Sequence, residues 1–218
     1  MPARGVFVTG TDTGVGKSVV AAVIAAEAAA AGLDVAVFKP AVSGLEQEGE
    51  PDHELLARAS GTSQSADEIA PYRYGPPLSP HLAAAISGEA IDPGLLAAAA
   101  ADAADAADAI VCEGVGGLMV PLTPDYLVRN LATELGHPLV VAARPGLGTI
   151  NHTLLTIEAA WAAELEVAAV VLTPWPPEPG ALERSNRETI AALAGIEVRT
   201  LPKLDLAAPD TWPALDLL

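Results

Sequence analysis

Residues 6–32 read VFVTGTDTGVGKSVVAAVIAAEAAAAG. A short apolar run leads into a glycine-rich turn and then into a long Ala/Val-rich stretch that ends at Gly32, which predicts a strand, a loop and a helix in that order. A unit of this kind presents backbone N–H groups and the positive end of the helix dipole to bound phosphates. The stretch therefore predicts an α/β fold with an anion site after its first strand.

The glycine-rich turn, GTDTGVGKS at residues 10–18, predicts a nucleoside triphosphate site. Its glycines let the backbone approach an anion, Lys17 supplies a mobile positive charge, and the Ser18 hydroxyl can ligate magnesium. Five residues separate Gly10 from Gly16, one more than in the common phosphate-loop pattern. An ordinary glycine-rich turn is the alternative, but the Gly-Lys-Ser triplet between a strand and a helix favours nucleotide binding.

Length and charge limit the kinds of partner. A chain of 218 residues fits one compact domain, residues 1–218. The formal net charge of −17 argues against nucleic acid or an anionic membrane surface, because both need a basic footprint. Two of the chain's lysines, Lys17 and Lys39, each follow an apolar strand-like run. This placement favours a local polyanion site, although Lys39 as a solvated strand end stays open on this argument alone.

The single cysteine, Cys112, excludes an internal disulfide and a four-thiolate zinc site. It lies in an apolar run, and we expect it to pack as a small hydrophobic residue. No signal-like segment and no uncharged apolar run of membrane-spanning length is visible in the sequence. We therefore expect a cytoplasmic protein with no membrane partner.

Short apolar runs alternate with helical stretches, which predicts a doubly wound parallel sheet covered on both faces. Strands are predicted at residues 6–9, 35–38, 110–112, 139–142 and 167–172, with a weaker strand near Val198. Helices are predicted at residues 17–31, 52–59, 95–107, 151–163 and 181–194. The proline-rich segment 173–180 predicts a rigid connection.

Ligands of such sheets bind at the carboxyl ends of the strands, so the residues after each run should meet. Lys39 follows the second predicted strand, and Glu113 follows the third and precedes a glycine-rich turn, residues 114–117. An acid in that position is expected to be linked to a magnesium ion. Asp52 starts a predicted helix, and on its own it is better explained as an N-cap than as a ligand.

The order of these motifs resembles the dethiobiotin synthetase family over most of the chain. The residues that carry the resemblance are GTDTGVGKS at 10–18, Phe38-Lys39-Pro40 with Ser43-Gly44, Asp52 before a helix, Ser79-Pro80-His81, Glu113-Gly-Val-Gly-Gly117 and Gly148-Thr-Ile-Asn-His152. The resemblance implies a P-loop enzyme that uses ATP and Mg²⁺ to close the ureido ring of dethiobiotin from 7,8-diaminononanoate and carbon dioxide. It also implies a homodimer whose substrate site borders the partner subunit.

The same resemblance implies a role for each matching residue. The catalytic residues it implies are Lys17, Lys39 and Ser43. Metal ligands would be Ser18, Asp52 and Glu113. Nucleotide contacts would come from Thr13, Gly14, Val15, Gly16, Lys17, Ser18, Glu113, Thr173 and Pro202. Substrate contacts would come from Thr13, Lys39, Ser43, Pro80, Gly116, Gly148, Thr149, Ile150, Asn151 and Asn186, the last where the partner subunit would contribute.

The chain departs from the family pattern at three of these places. Gly14 stands where some relatives carry glutamate, and Asn186 stands where others often carry tyrosine. Thr173-Pro174-Trp175 replaces an Asn-containing stretch that in relatives reads the adenine edge. Because a threonine offers one hydroxyl where an amide offers both a donor and an acceptor, we expect looser or different base selectivity, with other nucleoside triphosphates accepted.

Two alternative functions share the broad fold. A partition-type regulatory ATPase usually places an extra lysine early in the phosphate loop, where this chain has Asp12 or Thr13. An amidoligase-type synthetase normally adds a glutamine-hydrolysing domain, for which we expect this chain to be too short. Both comparisons favour the synthetase.

Overall fold

The computed structural model describes residues 4–218. Its strands are Arg4–Gly10 (β1), Val35–Phe38 (β2), Ala41–Ser43 (β3), Tyr72–Tyr74 (β4), Ala109–Glu113 (β5), Pro121–Thr123 (β6), Tyr126–Leu127 (β7), Leu139–Ala143 (β8), Val167–Trp175 (β9) and Glu197–Pro202 (β10). Its helices are Lys17–Ala30 (α1), Asp52–Ser60 (α2), Ala66–Ile69 (α3), Pro80–Ser87 (α4), Pro93–Asp105 (α5), Val128–Leu135 (α6), Thr149–Trp161 (α7) and Ala181–Ala194 (α8). A single 3₁₀ turn spans Pro209–Thr211.

Six strands form one parallel sheet in the order β10-β9-β8-β1-β5-β2, which confirms the predicted α/β fold. Side chains of β1 alternate between two apolar layers. Val6 and Val8 pack with α1 and α2 on one face, and Phe7 packs with α5 and α6 on the other. Burial on both faces explains why the central strands read as continuous apolar runs.

The strand order positions the site. β1 lies between β5 and β8, with Val8 beside Glu113 and Gly10 beside Ala142. After β1 the chain forms β2 and β5 on one side of β1, and it then forms β8 on the other side. The direction of the strand order therefore reverses at β1. In doubly wound sheets this reversal opens a crevice at the carboxyl edge of the strands. The phosphate loop after β1 lies in that crevice.

Most of the predicted elements are present with shifted ends. The weak strand near Val198 is β10. α5 begins at Pro93 rather than Leu95, because Asp92 Oδ1 accepts a 2.8 Å hydrogen bond from the Gly94 N–H and caps the helix. α7 begins two residues early, at Thr149, so Asn151 is inside the first turn.

One connection was predicted wrongly, and several short elements were not predicted. Residues 173–175 continue β9 instead of leaving the sheet, because Trp175 pairs with Pro202 of β10 after a register shift that follows Thr200. The Thr173–Pro174 peptide bond is cis. The elements absent from the prediction are the pairs β3/β4 and β6/β7 and the helices α3, α4 and α6. That the whole chain forms a single domain stays a prediction.

Two further expectations concern burial. Cys112 is fully buried in β5, as predicted for a small hydrophobic residue, and burial raises the pKa of its thiol to about 12. Within residues 4–218, no helix combines the length and the apolar character needed to span a membrane.

Candidate active site

Four side chains from four parts of the chain meet at the carboxyl edge of the sheet. Lys39 Nζ lies 2.7 Å from Glu113 Oε1 and 2.9 Å from Asp52 Oδ2. Ser18 Oγ lies 2.8 Å from Glu113 Oε1 and 2.8 Å from Asp52 Oδ1. We call Ser18, Lys39, Asp52 and Glu113 the carboxylate cluster. These distances bring the four predicted residues together beside the phosphate loop, and the roles predicted for them stay predictions.

Each member is placed by a local feature of the sequence. Glu113 is the last residue of β5 and Lys39 directly follows β2, and these two strands pair in parallel with Phe38 opposite Cys112. Ser18 is the second residue of α1. Asp52 is the first residue of α2, after the cap residue Pro51, so its carboxylate is not used as an N-cap and lies against Lys39 instead.

The charges of the cluster are strongly coupled. Burial lowers the pKa of the Lys39 ammonium, but the charges of Glu113 and Asp52 outweigh it and raise the pKa above its usual value. Burial raises the pKa of Asp52, and the Lys39 charge outweighs it in turn, so that this pKa is lowered. Complete burial raises the pKa of Glu113, opposed by Lys39. The ammonium is therefore held charged between its two partners.

Lys17 folds back over the phosphate loop. Its Nζ donates a 2.9 Å hydrogen bond to the Asp12 carbonyl, and its side chain passes over Gly10, where an added Cβ would lie 2.9 Å from Lys17 Cδ. Burial lowers the pKa of Lys17, and Glu113 opposes that shift. Both lysines predicted to act on phosphate thus lie at the same edge of the sheet as Glu113.

The turn after β5 needs its glycines because it packs against the phosphate loop. A Cβ on Gly117 would lie 3.0 Å from the Gly10 carbonyl oxygen. Gly116 has φ of +62°, and a Cβ there would lie 3.6 Å from Thr13 Oγ1 and 2.7 Å from Val120 Cγ2. The close approach of these two backbone segments explains why the turn is rich in glycine. It also places Gly116 beside Thr13, and both residues are predicted to contact the substrate.

Ser43 and Pro80 lie on neighbouring elements. Ser43 ends β3 and lines a cavity of about 150 Å³ together with Asp52 of the carboxylate cluster. Pro80 is the buried first residue of α4, a helix that packs against β3. Two larger cavities, of about 410 and 420 Å³, lie outside the β2 edge and beside α4, and neither is lined by a residue of the carboxylate cluster.

The segment Gly148 to Asn151 forms the start of α7. Gly148 has φ of +91° and caps the helix, and the N–H groups of Ile150 and Asn151 belong to the first turn, which has no intrahelical acceptor for them. His152 lines a cavity of about 200 Å³ together with Thr11 and Gly117. The start of α7 therefore faces the phosphate loop and the turn after β5.

The last predicted residues belong to β9, β10 and α8. Thr173 is buried, and its Cγ2 packs so closely on Gly16 that a Cβ there would lie 2.6 Å away. Pro202 ends β10 and is exposed. Asn186 is buried within its own chain, where its Nδ2 donates to the carbonyls of Pro145 and Gly146 at 2.9 and 3.1 Å. Its contact with a substrate stays a prediction.

One cation near the phosphate loop was not predicted to have a role. Arg144 directly follows β8, and its Nη2 lies 3.4 Å from the Thr13 carbonyl oxygen and 3.3 Å from that of Gly14. The sequence feature that could have indicated a role for Arg144 is its position directly after a buried strand, which is also the position of Lys39.

A parallel doubly wound sheet with a Gly-Lys-Ser loop after β1, and a carboxylate on the neighbouring strand within reach of that serine, defines a P-loop nucleotide-binding protein. A protein-family model described as "AAA domain" matches residues 4–209. Apo McdA of Cyanthece aligns with a TM-score of 0.58 at 13% identity, over 98% of this chain and 92% of its own, which shows the fold alone.

Sequence relatives define the family more narrowly. The chain is 46% identical over 191 residues to the ATP-dependent dethiobiotin synthetase of Anaeromyxobacter dehalogenans (strain 2CP-1), covering 87% of this chain and 85% of the relative. It is 42% identical over 194 residues to the enzyme of that name from Rhodococcus erythropolis (strain PR4), covering 87% and 84%. The chain belongs to the dethiobiotin synthetase family.

Proposed function

We propose that this chain uses ATP to close the ureido ring of dethiobiotin from 7,8-diaminononanoate and carbon dioxide, releasing ADP and phosphate. The observation that carries the proposal is the carboxylate cluster, in which Lys39 lies 2.7 Å from Glu113 beside the phosphate loop. Family membership supports an ATP-dependent ligase of biotin biosynthesis. It disfavours the partition-type ATPase, whose usual loop lysine is absent here.

The reaction would proceed in three steps. One substrate amine adds to carbon dioxide and loses a proton, giving a carbamate. A carbamate oxygen attacks the γ-phosphorus of ATP and ADP leaves, and the second amine then attacks the carbonyl carbon, closing the ring and expelling phosphate. Two anions meet in the second step, so Lys17 and Lys39 would offset their repulsion, and Ser43 would donate a hydrogen bond to the carbamate.

The carboxylate cluster fits a magnesium ion. Its oxygens are the hard donors that Mg²⁺ prefers, with Ser18 as the hydroxyl and Asp52 and Glu113 as the carboxylates. Glu113 Oε2 is buried without a hydrogen-bond partner among residues 4–218, so it is available to a cation. Residues 4–218 contain no group of three or more His, Cys, Asp or Glu side chains that could hold a metal ion, so the proposed site rests on two carboxylates and one hydroxyl. When bound, the metal would neutralise charge on the β- and γ-phosphates.

The far carboxylate of the substrate would lie at the start of α7. The N–H groups of Ile150 and Asn151 point out of the first turn of a 13-residue helix, where the helix dipole favours an anion. Thr149 and Gly148 would complete that contact. The amine end would then lie near Thr13, Gly116 and Pro80, on the side of the carboxylate cluster.

A homodimer is part of the proposal. Met119 and Leu155, which line one groove beside α7, are 55% and 59% exposed, and Leu147 just before that helix is 92% exposed. A second copy of the chain would cover this apolar surface next to the substrate carboxylate. A cytoplasmic location completes the proposal.

The proposed nucleotide site has few groups that could distinguish one base from another. Thr173 offers a single hydroxyl, and its methyl group packs on Gly16, while Pro202 on the next strand has no N–H to donate. We therefore expect ATP, GTP and CTP all to support turnover. A strong preference for ATP alone would contradict this expectation and leave the ring closure itself untouched.

The reaction is tested by leaving out one reactant at a time. Purified protein with ATP, Mg²⁺, bicarbonate and diaminononanoate should give dethiobiotin, identified by its mass, together with an equal amount of phosphate. Omitting the diamine should reduce phosphate release to background. Phosphate release that ignores the diamine would instead support the regulatory ATPase.

A further inference from the structure

Arg144 joins two loops at the carboxyl edge of the sheet. It is the first residue after β8, and β8 pairs with β1 so that Ala142 lies beside Gly10. Its guanidinium reaches the phosphate loop, with Nη2 at 3.4 Å from the Thr13 carbonyl oxygen and 3.3 Å from that of Gly14. The connection spans 131 and 130 residues of sequence, so it depends on the sheet order.

Gly14 makes this contact possible. It adopts φ of +68°, and a Cβ at this position would lie 3.5 Å from Arg144 Nη2. A longer side chain there would meet the guanidinium first. Glycine leaves the guanidinium in contact with the loop backbone and removes any carboxylate that could neutralise it. Within the described residues, no Asp or Glu forms an ion pair with Arg144.

The loop that carries Arg144 is also bound by helix α8. Asn186 of α8 donates from Nδ2 to the carbonyl oxygens of Pro145 and Gly146, the two residues that follow Arg144. The loop is thereby fixed to α8, while the exposed guanidinium, among residues 4–218, donates hydrogen bonds only to the phosphate loop. An arginine has five N–H donors, and both carbonyls accept from the same nitrogen, Nη2. The donors on its other two nitrogens remain available to a ligand.

We propose that Arg144 is a positioning residue for the bound triphosphate, holding Thr13 and Gly14 in place and adding a positive charge beside those of Lys17 and Lys39. The inference rests on the proposed nucleotide site. In a chain of net charge −17, a cation beside the site favours entry of a polyanion. Arginine suits this role because its remaining donors match phosphate oxygens.

The test compares Arg144→Ala, Arg144→Lys and a matched control, Arg184→Ala, which removes the same charge from an exposed position on α8. Affinity for ATP with Mg²⁺ is measured by calorimetry at low and high salt, and KM is measured for ATP and for the diamine. Arg144→Ala should weaken ATP binding about three- to tenfold at low salt, less at high salt, because the charge is exposed. Arg144→Lys should recover part of the loss, and the KM for the diamine should not change.

The outcomes separate this inference from the proposed function. ATP affinity of Arg144→Ala equal to that of wild type would overturn the inference while wild type still turns over. Equal losses for ATP and the diamine would also overturn it, because they indicate a general disturbance of the loop. Wild-type protein that fails to bind ATP would overturn the proposed function itself.

Discussion

Lys39 Nζ lies 2.7 Å from Glu113 Oε1, so a nearly buried ammonium neutralises a fully buried carboxylate at the proposed metal position. Asp52 completes the arrangement at 2.9 Å. An ammonium and a magnesium ion would compete for the same two carboxylates. With Asp52 and Glu113 holding a magnesium ion, Lys39 would be free to contact the phosphates, where the proposed chemistry needs it.

Lys39→Met should destabilise the metal-free protein and strengthen its response to magnesium. Removing one partner of a buried ion pair leaves an uncompensated charge, which costs on the order of 3 kcal/mol. Mg²⁺ should restore much of that loss, measured as free energy of unfolding in urea with and without MgCl₂. Lys203→Met, at an exposed lysine, is the control. Equal stabilisation of wild type and Lys39→Met by Mg²⁺ would count against shared use of the carboxylates.

Lys17→Ala should reduce turnover about a hundredfold or more. Its ammonium lies over the phosphate loop, and one transition-state charge contact contributes on the order of 3 kcal/mol, about a hundredfold in rate. By contrast, Lys39→Ala should keep most of the nucleotide affinity and suppress the chemistry. Single-turnover phosphate release and ATP titrations distinguish the two effects. A Lys17→Ala enzyme within tenfold of wild type would refute the assignment.

Gly16→Ala should be more damaging than Gly32→Ala. Both glycines have left-handed backbones, with φ of +92° and +86°, so both substitutions carry similar strain. Only the new methyl at 16 meets a neighbour, at 2.6 Å from Thr173 Cγ2. Overpacking should add about 1 kcal/mol or more to the loss of unfolding free energy.

A second variant tests whether Thr173 causes the difference. Adding Thr173→Ser to Gly16→Ala removes the methyl that clashes and should bring the stability close to that of Gly32→Ala. Urea unfolding measures all three. A double variant as unstable as Gly16→Ala alone would mean that the steric account is wrong.

His137 should make the protein less stable in mild acid. Burial against Gly5 lowers its pKa below the ordinary 6.5, so the unfolded chain takes up a proton that the folded chain refuses. Stability should fall as the pH drops below 6.5, by at most about 1.4 kcal/mol per pH unit from this group. His137→Gln should flatten the fall between pH 7 and 5 in urea titrations.

The comparison of wild type with His137→Gln isolates the contribution of His137 to the pH dependence of stability. His53, whose pKa is also lowered by burial, is present in both proteins, so its contribution cancels. Identical slopes for wild type and His137→Gln would show that His137 is already charged or already exposed in the folded state.

The sequence predicted the first strand, loop and helix well, because apolar periodicity and glycine position are local properties. Lys39 and Glu113 could be brought together in advance, since residues that end neighbouring parallel strands share one edge. Asp52 could not be placed by such reasoning alone, because it reaches the cluster by way of residues 44–51, whose path carries no periodic signal. The family resemblance supplied Asp52 as a predicted ligand.

Contacts between distant loops stayed out of reach. The amide of Asn186 binds the backbone of the loop after β8, and Arg144 on that loop contacts the phosphate loop. Both depend on how helix α8 and two loops pack at the edge of the sheet. Helix α6 was missed although its apolar residues Val128 and Leu131 face the core, because it spans only eight residues.

Transfer of an oxygen atom from carbon dioxide to phosphate tests the central claim most directly. The enzyme is mixed with ATP, Mg²⁺, diaminononanoate and ¹⁸O-labelled carbon dioxide in unlabelled water, and the released phosphate is analysed by mass spectrometry within seconds. Attack of a carbamate oxygen on the γ-phosphorus predicts one labelled oxygen in each phosphate released. Unlabelled phosphate, released at the full rate of turnover, would contradict the proposed ring closure.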